Sequence, residues 1–226
     1  MPVLFDSLDA WYDEHPRTGA ENMAIDQLLM EQVKDRPLLR VYQWSEPSVS
    51  FGYFLHLADA MESFSDSGLT YTRRWTGGGI VDHRADVTYT LVIPKCSVVA
   101  NTRGAGSYRK IHSVIAAALV KLGKDVEMVS SDSGNNVRAC FANPVANDVV
   151  DRLGNKLAGA GQRRTRYGLL HQGSVLAGVH SRELFEQLML LLTPNAGTFT
   201  PDASLLGCAV DLAKARYSSA QWLNKR

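Results

Sequence analysis

Two periodicities of apolar and polar residues alternate along the chain and outline its elements. From Thr18 to Lys34, TGAENMAIDQLLMEQVK sets Met23, Ala24, Ile25, Leu28, Leu29 and Val33 at helical spacing, with acidic residues early and a lysine late, which predicts a first helix. LLRVYQW (38–44) and SVSFGYF (48–54) alternate around β-branched and aromatic residues with Pro47 between them, predicting two strands joined by a short turn. LTYTRRW (69–75) and DVTYTLVIP (86–94) predict two more strands. SYRKIHSVIAAALVKLG (107–123) returns to helical spacing and stops at Gly123. After a turn-rich segment, SSDSGNN, residues 147–178 predict a meander of strands broken at glycines. SRELFEQLMLLL (181–192) predicts a helix capped by Ser181 with Glu183 in its first turn. The tail from Thr193 ends in DLAKARYSSAQWL, which predicts a last helix.

Strands and helices mixed in this order predict an α+β or α/β layered domain, a sheet with helices packed on it. No linker marks a boundary, so 1–226 reads as a single unit with 194–226 as a C-terminal extension. At 226 residues, 45% hydrophobic and 21% charged, the chain is long enough for a continuous core. Its net charge of +1 argues against a general nucleic-acid binder, so any positive site must be local. No stretch of about 18 apolar residues and no apolar leader is present, which argues against a membrane span. Cys96, Cys140 and Cys208 are odd in number and widely spaced, with no disulfide or zinc arithmetic, which favours a reducing compartment and a cytoplasmic protein.

Three stretches carry chemistry. RRWTGGGIVDH joins Arg73 and Arg74 to Gly77, Gly78 and Gly79, whose bare backbone lets a ligand lie against the main chain. Adjacent strand residues point to opposite faces, so at most one of the two arginines enters a site there. Ile80 and Val81 follow the glycines where a P-loop needs Lys and Ser/Thr, so nucleotide binding of that kind is not indicated. His83 reads first as a hydrogen-bonded structural residue and second as a base, a ligand or a capping group, and Asp86 as its orienting carboxylate or a strand cap, without metal-ligand spacing. GNKLAGAGQRR places Lys156 among apolar residues and glycines; it either meets an anion, a carbonyl or a phosphate, or snorkels to the surface. Cys140, in RACFANP, reads as a buried inert thiol or, beside a cation, as a nucleophile. Apolar neighbours suggest that Cys96 and Cys208 pack inward.

Taken in order, ENMAIDQLLME, LRVYQWSEPSVSFGYF, RRWTGGGIVDH with DVTYTLVIP, GNKLAGAGQRR and GLLHQGSVL resemble the biotin/lipoate protein ligase and octanoyltransferase superfamily over roughly residues 18–180. The resemblance implies the class II aminoacyl-tRNA synthetase/biotin ligase-like fold, with an acyl chain held in a tunnel, covered by Gly77–Gly79 and met at its carbonyl by Lys156. Cys140-Phe141, sixteen residues before Lys156, resembles the nucleophile segment of cysteine-dependent octanoyltransferases, with Cys208 in reserve. The short H-R-A-D-V-T-Y segment departs from the ligase pattern, whereas Gly79 agrees with it. The GRGRxxR-type loop of biotin ligases is not seen.

The implied reaction is octanoyl transfer from acyl carrier protein to a lysine of a lipoyl domain, as in 2-oxoacid dehydrogenases or the glycine cleavage H protein. It needs no cofactor. The alternatives are an ATP- and Mg-dependent lipoate ligase or a non-catalytic acyl-binding scaffold. The resemblance makes Cys140 and Lys156 the catalytic pair. Gly159 and Ala160 become oxyanion donors, and Arg73, Arg74, Gly77, Gly78, Gly79, His83, Tyr89 and His171 substrate-binding residues. Tyr89, Val81 and strand 48–54 are expected to line the slot, and Arg163, Arg164 and Arg166 to dock an acidic partner.

Overall fold

The computed structural model describes residues 3–102, 105–130 and 144–225. In chain order the elements are β1 (Leu8–Tyr12), α1 (Gly19–Gln32), β2 (Leu38–Tyr42), β3 (Ser48–Phe51), α2 (Leu57–Ser63), β4 (Thr70–Arg73), β5 (Ile80–Asp82), β6 (Val87–Pro94), α3 (Val98–Asn101) and α4 (Ala105–Lys121). There follow β7 (Val126–Met128), β8 (Val149–Asp151), β9 (Lys156–Arg164), β10 (Gly168–Val175), α5 (Ser181–Leu192), β11 (Ala196–Thr198), α6 (Ala203–Leu212), a π-helical turn (Ala213–Tyr217) and α7 (Ala220–Leu223). The strands form an eight-stranded mixed sheet ordered β11-β1-β2-β6-β10-β9-β8-β7 and a three-stranded sheet ordered β4-β3-β5, so the layered α+β architecture holds.

Strand β6 shows how the alternating pattern is used. Tyr89, Leu91 and Ile93 pack with α4 and α5, whereas Val92 joins the layer beneath α1 on the opposite face. Every residue of β6 is buried, so its threonines need polar partners. Thr90 donates to Asp26 at 2.6 Å, and Thr88 accepts from Trp44 Nε1 at 2.8 Å. Helix α1 likewise buries Asn22, Asp26 and Gln27. Arg40 of β2, wholly buried, compensates by bonding Asp26 at 2.8 Å and Asp13 at 2.7 Å. A capping box at Thr18 and Glu21 fixes where α1 begins.

Several elements depart from the sequence reading. The segments either side of Pro47 are not hairpin partners: β2 lies between β1 and β6, whereas β3 pairs with β4 and β5 in the small sheet. Ser181 is the first residue of α5 rather than its cap, its hydroxyl 2.6 Å from that of Tyr12. Cys96 and Cys208 are exposed, contrary to the packed positions expected of them. The tail is more than one helix: β11 adds to β1 in parallel, and Arg73 binds the carbonyls of Trp222 and Leu223, both at 2.9 Å, tying the end of the chain to the small sheet. No helix among the described residues is long and apolar enough to cross a membrane.

Candidate active site

A cavity of about 300 Å³ lies between the two sheets. Strands β9 and β10 give it Gly159, Gly161, Gln172, Gly173 and Ser174; the small sheet and its connections give Ser50, Leu55, Gly78, Gly79, Val81 and His83; Met23, Tyr42 and Trp44 close another side. Lys156, Ala160, Tyr108, Val145, Arg74 and Thr88 complete the lining.

The glycine loop packs directly on β9. Gly78 has φ +91°, a left-handed conformation that side-chain-bearing residues rarely adopt. A Cβ on Gly161 would stand 2.2 Å from the Gly77 carbonyl oxygen, so the loop reaches the strand only because no side chain intervenes. Arg74 holds the loop from within: it donates to the carbonyls of Gly79 at 2.6 Å and Gly77 at 3.3 Å, and to Ser50 Oγ at 2.7 Å. Arg74, Gly78 and Gly79 line the cavity, whereas Arg73 and Gly77 do not. Arg73 points the other way, as strand alternation requires, and spends its guanidinium on the carbonyls of Tyr53, Leu55, Trp222 and Leu223.

His83 stands in a relay. Its Nδ1 is 2.9 Å from Asp86 Oδ2, its Nε2 is 2.6 Å from Ser50 Oγ, and its ring stacks on Trp44 with centroids 3.9 Å apart. The Asp-His-Ser order is that of a nucleophile-activating relay, but the serine oxygen also accepts from Arg74. The relay therefore braces Arg74, and through it the glycine loop.

Lys156 enters the cavity at the start of β9 and is not a solvated surface lysine. Its Nζ is 2.8 Å from Asp148 Oδ2, with side-chain exposures of 8% and 0%. Asp148 is held by the Val145 N–H at 2.9 Å and by the Tyr108 hydroxyl, which donates to Oδ1 at 2.5 Å. That hydroxyl in turn accepts from the Ala160 N–H at 2.9 Å, so this backbone donor is engaged rather than open to an oxyanion. Burial, then the neighbouring Asp148 charge, push the Tyr108 phenol well above its ordinary range, so it stays a donor.

Tyr89 and His171 line no part of the cavity. Both are fully buried, 3.1 Å apart through Oη and Nε2. A Cβ on Gly173 would lie 2.2 Å from Tyr89 Cζ, so this ring fills the space behind the wall that Gly173 forms. Burial, and then His112, hold the His171 imidazole well below its usual range, which makes it a neutral structural group.

Of the three arginines expected to dock a partner, Arg164 is committed to the carbonyls of Ala100 and Thr102 and to Ser107 Oγ. Arg166 bonds the neighbouring Tyr167 hydroxyl, and Arg163 lies over the Trp75 and Tyr53 rings. Cys140 lies outside the described residues, and Cys208, on α6, does not line the cavity.

Asp148, Tyr108, Trp44 and Gln172 escaped the sequence reading, whereas Ser50 lies in the strand 48–54 expected to line the slot. The signal available for Asp148 was an acidic residue opening an apolar strand eight positions before Lys156. Tyr108 carried none, since it sits in an ordinary helical pattern.

Residues 18–197 match the family described as lipoyl protein ligase A/B catalytic domain. An octanoyltransferase LipM of Moorella thermoacetica is 33% identical over 178 residues, covering 75% of this chain and 65% of its own length. One from Kyrpidia tusciae is 33% identical over 195 residues, covering 80% and 71%. The chain thus spans about two thirds of the length of these relatives. A lipoate-protein ligase A solved with ATP bound superposes with a TM-score of 0.71 at 20% identity, over 96% of this chain and 98% of that one, a likeness of fold. With the glycine loop and the lysine strand both inside the matched span, the chain belongs to the lipoyl protein ligase A/B catalytic domain family.

Proposed function

We propose that the protein moves an octanoyl group from an acyl carrier protein thioester to a lysine amine of a lipoyl domain, in 2-oxoacid dehydrogenases or the glycine cleavage H protein. Residues 1–226 act as one cytoplasmic catalytic unit in this reading. The observation that carries it is the cavity between the sheets, braced by the glycine loop, with the buried Lys156–Asp148 pair on its wall. The relatives named octanoyltransferase support the donor chemistry.

The Cys140 thiolate attacks the thioester carbonyl, the carrier thiol leaves, and an octanoyl-cysteine forms. The acceptor amine then attacks that carbonyl, an amide forms, the amine loses its proton and the Cys140 thiolate is released. A lysine near the carbonyl favours both the thiolate and the tetrahedral oxyanion, a contribution on the order of 3 kcal/mol for one well-placed donor. The thioester is already activated, so no cofactor is required.

The second reading, an ATP- and Mg-dependent ligase forming an acyl-adenylate, draws on Gly79 and on the ATP-bound fold relative. Intact mass of wild-type and Cys140→Ser protein after exposure to octanoyl carrier protein without ATP separates them. An octanoyl adduct on wild type alone supports transfer. Adenylate formation from free acid and ATP, undiminished in Cys140→Ser, sinks it. Acyl binding with no acylation of a lipoyl domain under either condition would leave a scaffold.

A further inference from the structure

We infer that Tyr108, on α4, is a positioning residue for the transfer: its hydroxyl clamps Asp148 to strand β9 and so fixes the Lys156 amine. This rests on the reading that Lys156 serves the reaction. The hydroxyl makes two bonds with different elements, donating to Asp148 Oδ1 at 2.5 Å and accepting from the Ala160 N–H of β9 at 2.9 Å. The phenol ring is seated on the His112 ring, centroids 3.9 Å apart and 30° from parallel. His112, one helical turn along α4, is fully buried and gives the phenol ring its platform. Asp148 thereby has Oδ2 for Lys156 and the Val145 N–H, and Oδ1 for Tyr108. Without the hydroxyl, Oδ1 and the Ala160 N–H both lose a partner. The carboxylate can then rotate, and the lysine follows it.

The test compares Tyr108→Phe, Lys156→Gln and a control, Tyr217→Phe, which deletes another buried tyrosine hydroxyl, bonded to Gln27. Steady-state transfer from octanoyl-pantetheine to a lipoyl domain and the melting temperature are measured for each. Tyr108→Phe is expected to lower kcat ten- to a hundredfold, roughly the factor carried by a lost hydrogen bond to a charged group. KM should stay within about twofold, because the cavity wall is kept. The control should lose stability with little change in kcat.

If Lys156→Gln abolishes turnover while Tyr108→Phe keeps kcat within about twofold, positioning is overturned and the functional reading stands. If Lys156→Gln turns over normally, the functional reading itself has failed. Equal kcat losses in Tyr108→Phe and Tyr217→Phe that track melting temperature also overturn the inference. Should Tyr108→Phe not fold, Asp148→Asn, which still accepts from Tyr108, must show the kcat loss, and unchanged kcat there counts against it.

Discussion

Gly159→Ala displaces Lys156 without removing it. A Cβ at Gly159 would stand 2.3 Å from Lys156 Cε and 2.6 Å from Nζ. Ordinary contact begins near 3.4 Å, so the end of the side chain must retreat by about 1.1 Å and 0.8 Å respectively (3.4 − 2.3 and 3.4 − 2.6). The obstructing atoms are the far end of a flexible chain, so the backbone can stay where it is. The 2.8 Å bond to Asp148 cannot be kept in its present geometry. A buried pair broken outright costs about 3–5 kcal/mol, an upper bound here because the amine can find a new rotamer. A reactive group misplaced by about 1 Å loses on the order of 100-fold in rate. The expected variant therefore melts several degrees low but folds, binds the acyl donor, and transfers about 100-fold more slowly. Transfer is followed by intact mass of the lipoyl domain and folding by circular dichroism. Gly207→Ala, in α6 with open space around its Cβ, is the matched control and should be neutral or stabilising. A Gly159→Ala enzyme within about twofold of wild type would refute the argument that the position of Lys156 matters to the rate.

Three further outcomes are expected. Gly161→Ala drives a Cβ to 2.2 Å from a backbone carbonyl that cannot swing aside, so it should cost about 3 kcal/mol or more and show as a lowered denaturant midpoint. Burial first, then Lys156, push the His112 imidazole down to about 3, while in the unfolded chain it titrates near 6.5. The unfolded state therefore binds the extra proton between those values, and stability falls as pH drops from about 6.5 towards 3; His112→Leu should flatten that slope in melting curves, and an unchanged slope would contradict the assignment. Arg73→Met removes four bonds to carbonyls, two of them at the C-terminal segment, and should raise hydrogen exchange over 220–225 well before global unfolding.

Local rules decide what can be read one element at a time. The 3.6-residue spacing of α1, α4 and α5, the alternation in β6 and the glycine-broken meander of β8 to β10 follow from which residues must leave water, and these were legible. The same holds for the opposite fates of Arg73 and Arg74, because a strand turns successive side chains to opposite faces whatever it pairs with. The motifs that mark the family were legible for a related reason. Three glycines in a row and a lysine in a glycine-rich strand answer to backbone conformation and charge burial, which single residues express.

Partnership across the chain was not legible. Nothing in the pattern could say that β2 and β3 belong to different sheets, since both fit any half-buried strand and register is set by what each meets. Tyr89 reads as a cavity wall until Gly173 is seen to admit its ring from behind. Tyr108 is one more position of a helical pattern until α4 is laid across β9, where one hydroxyl meets a carboxylate forty residues away and a backbone N–H fifty-two away. By itself, then, the sequence determined the helices α1, α4 and α5, the main strands and the glycine loop, and it left Lys156 between an anionic partner and the surface. Only the tertiary structure decided that Asp148 holds it and that Tyr108 holds Asp148, because hydrogen bonds and ion pairs act over a few ångströms and depend on which distant segments packing brings together.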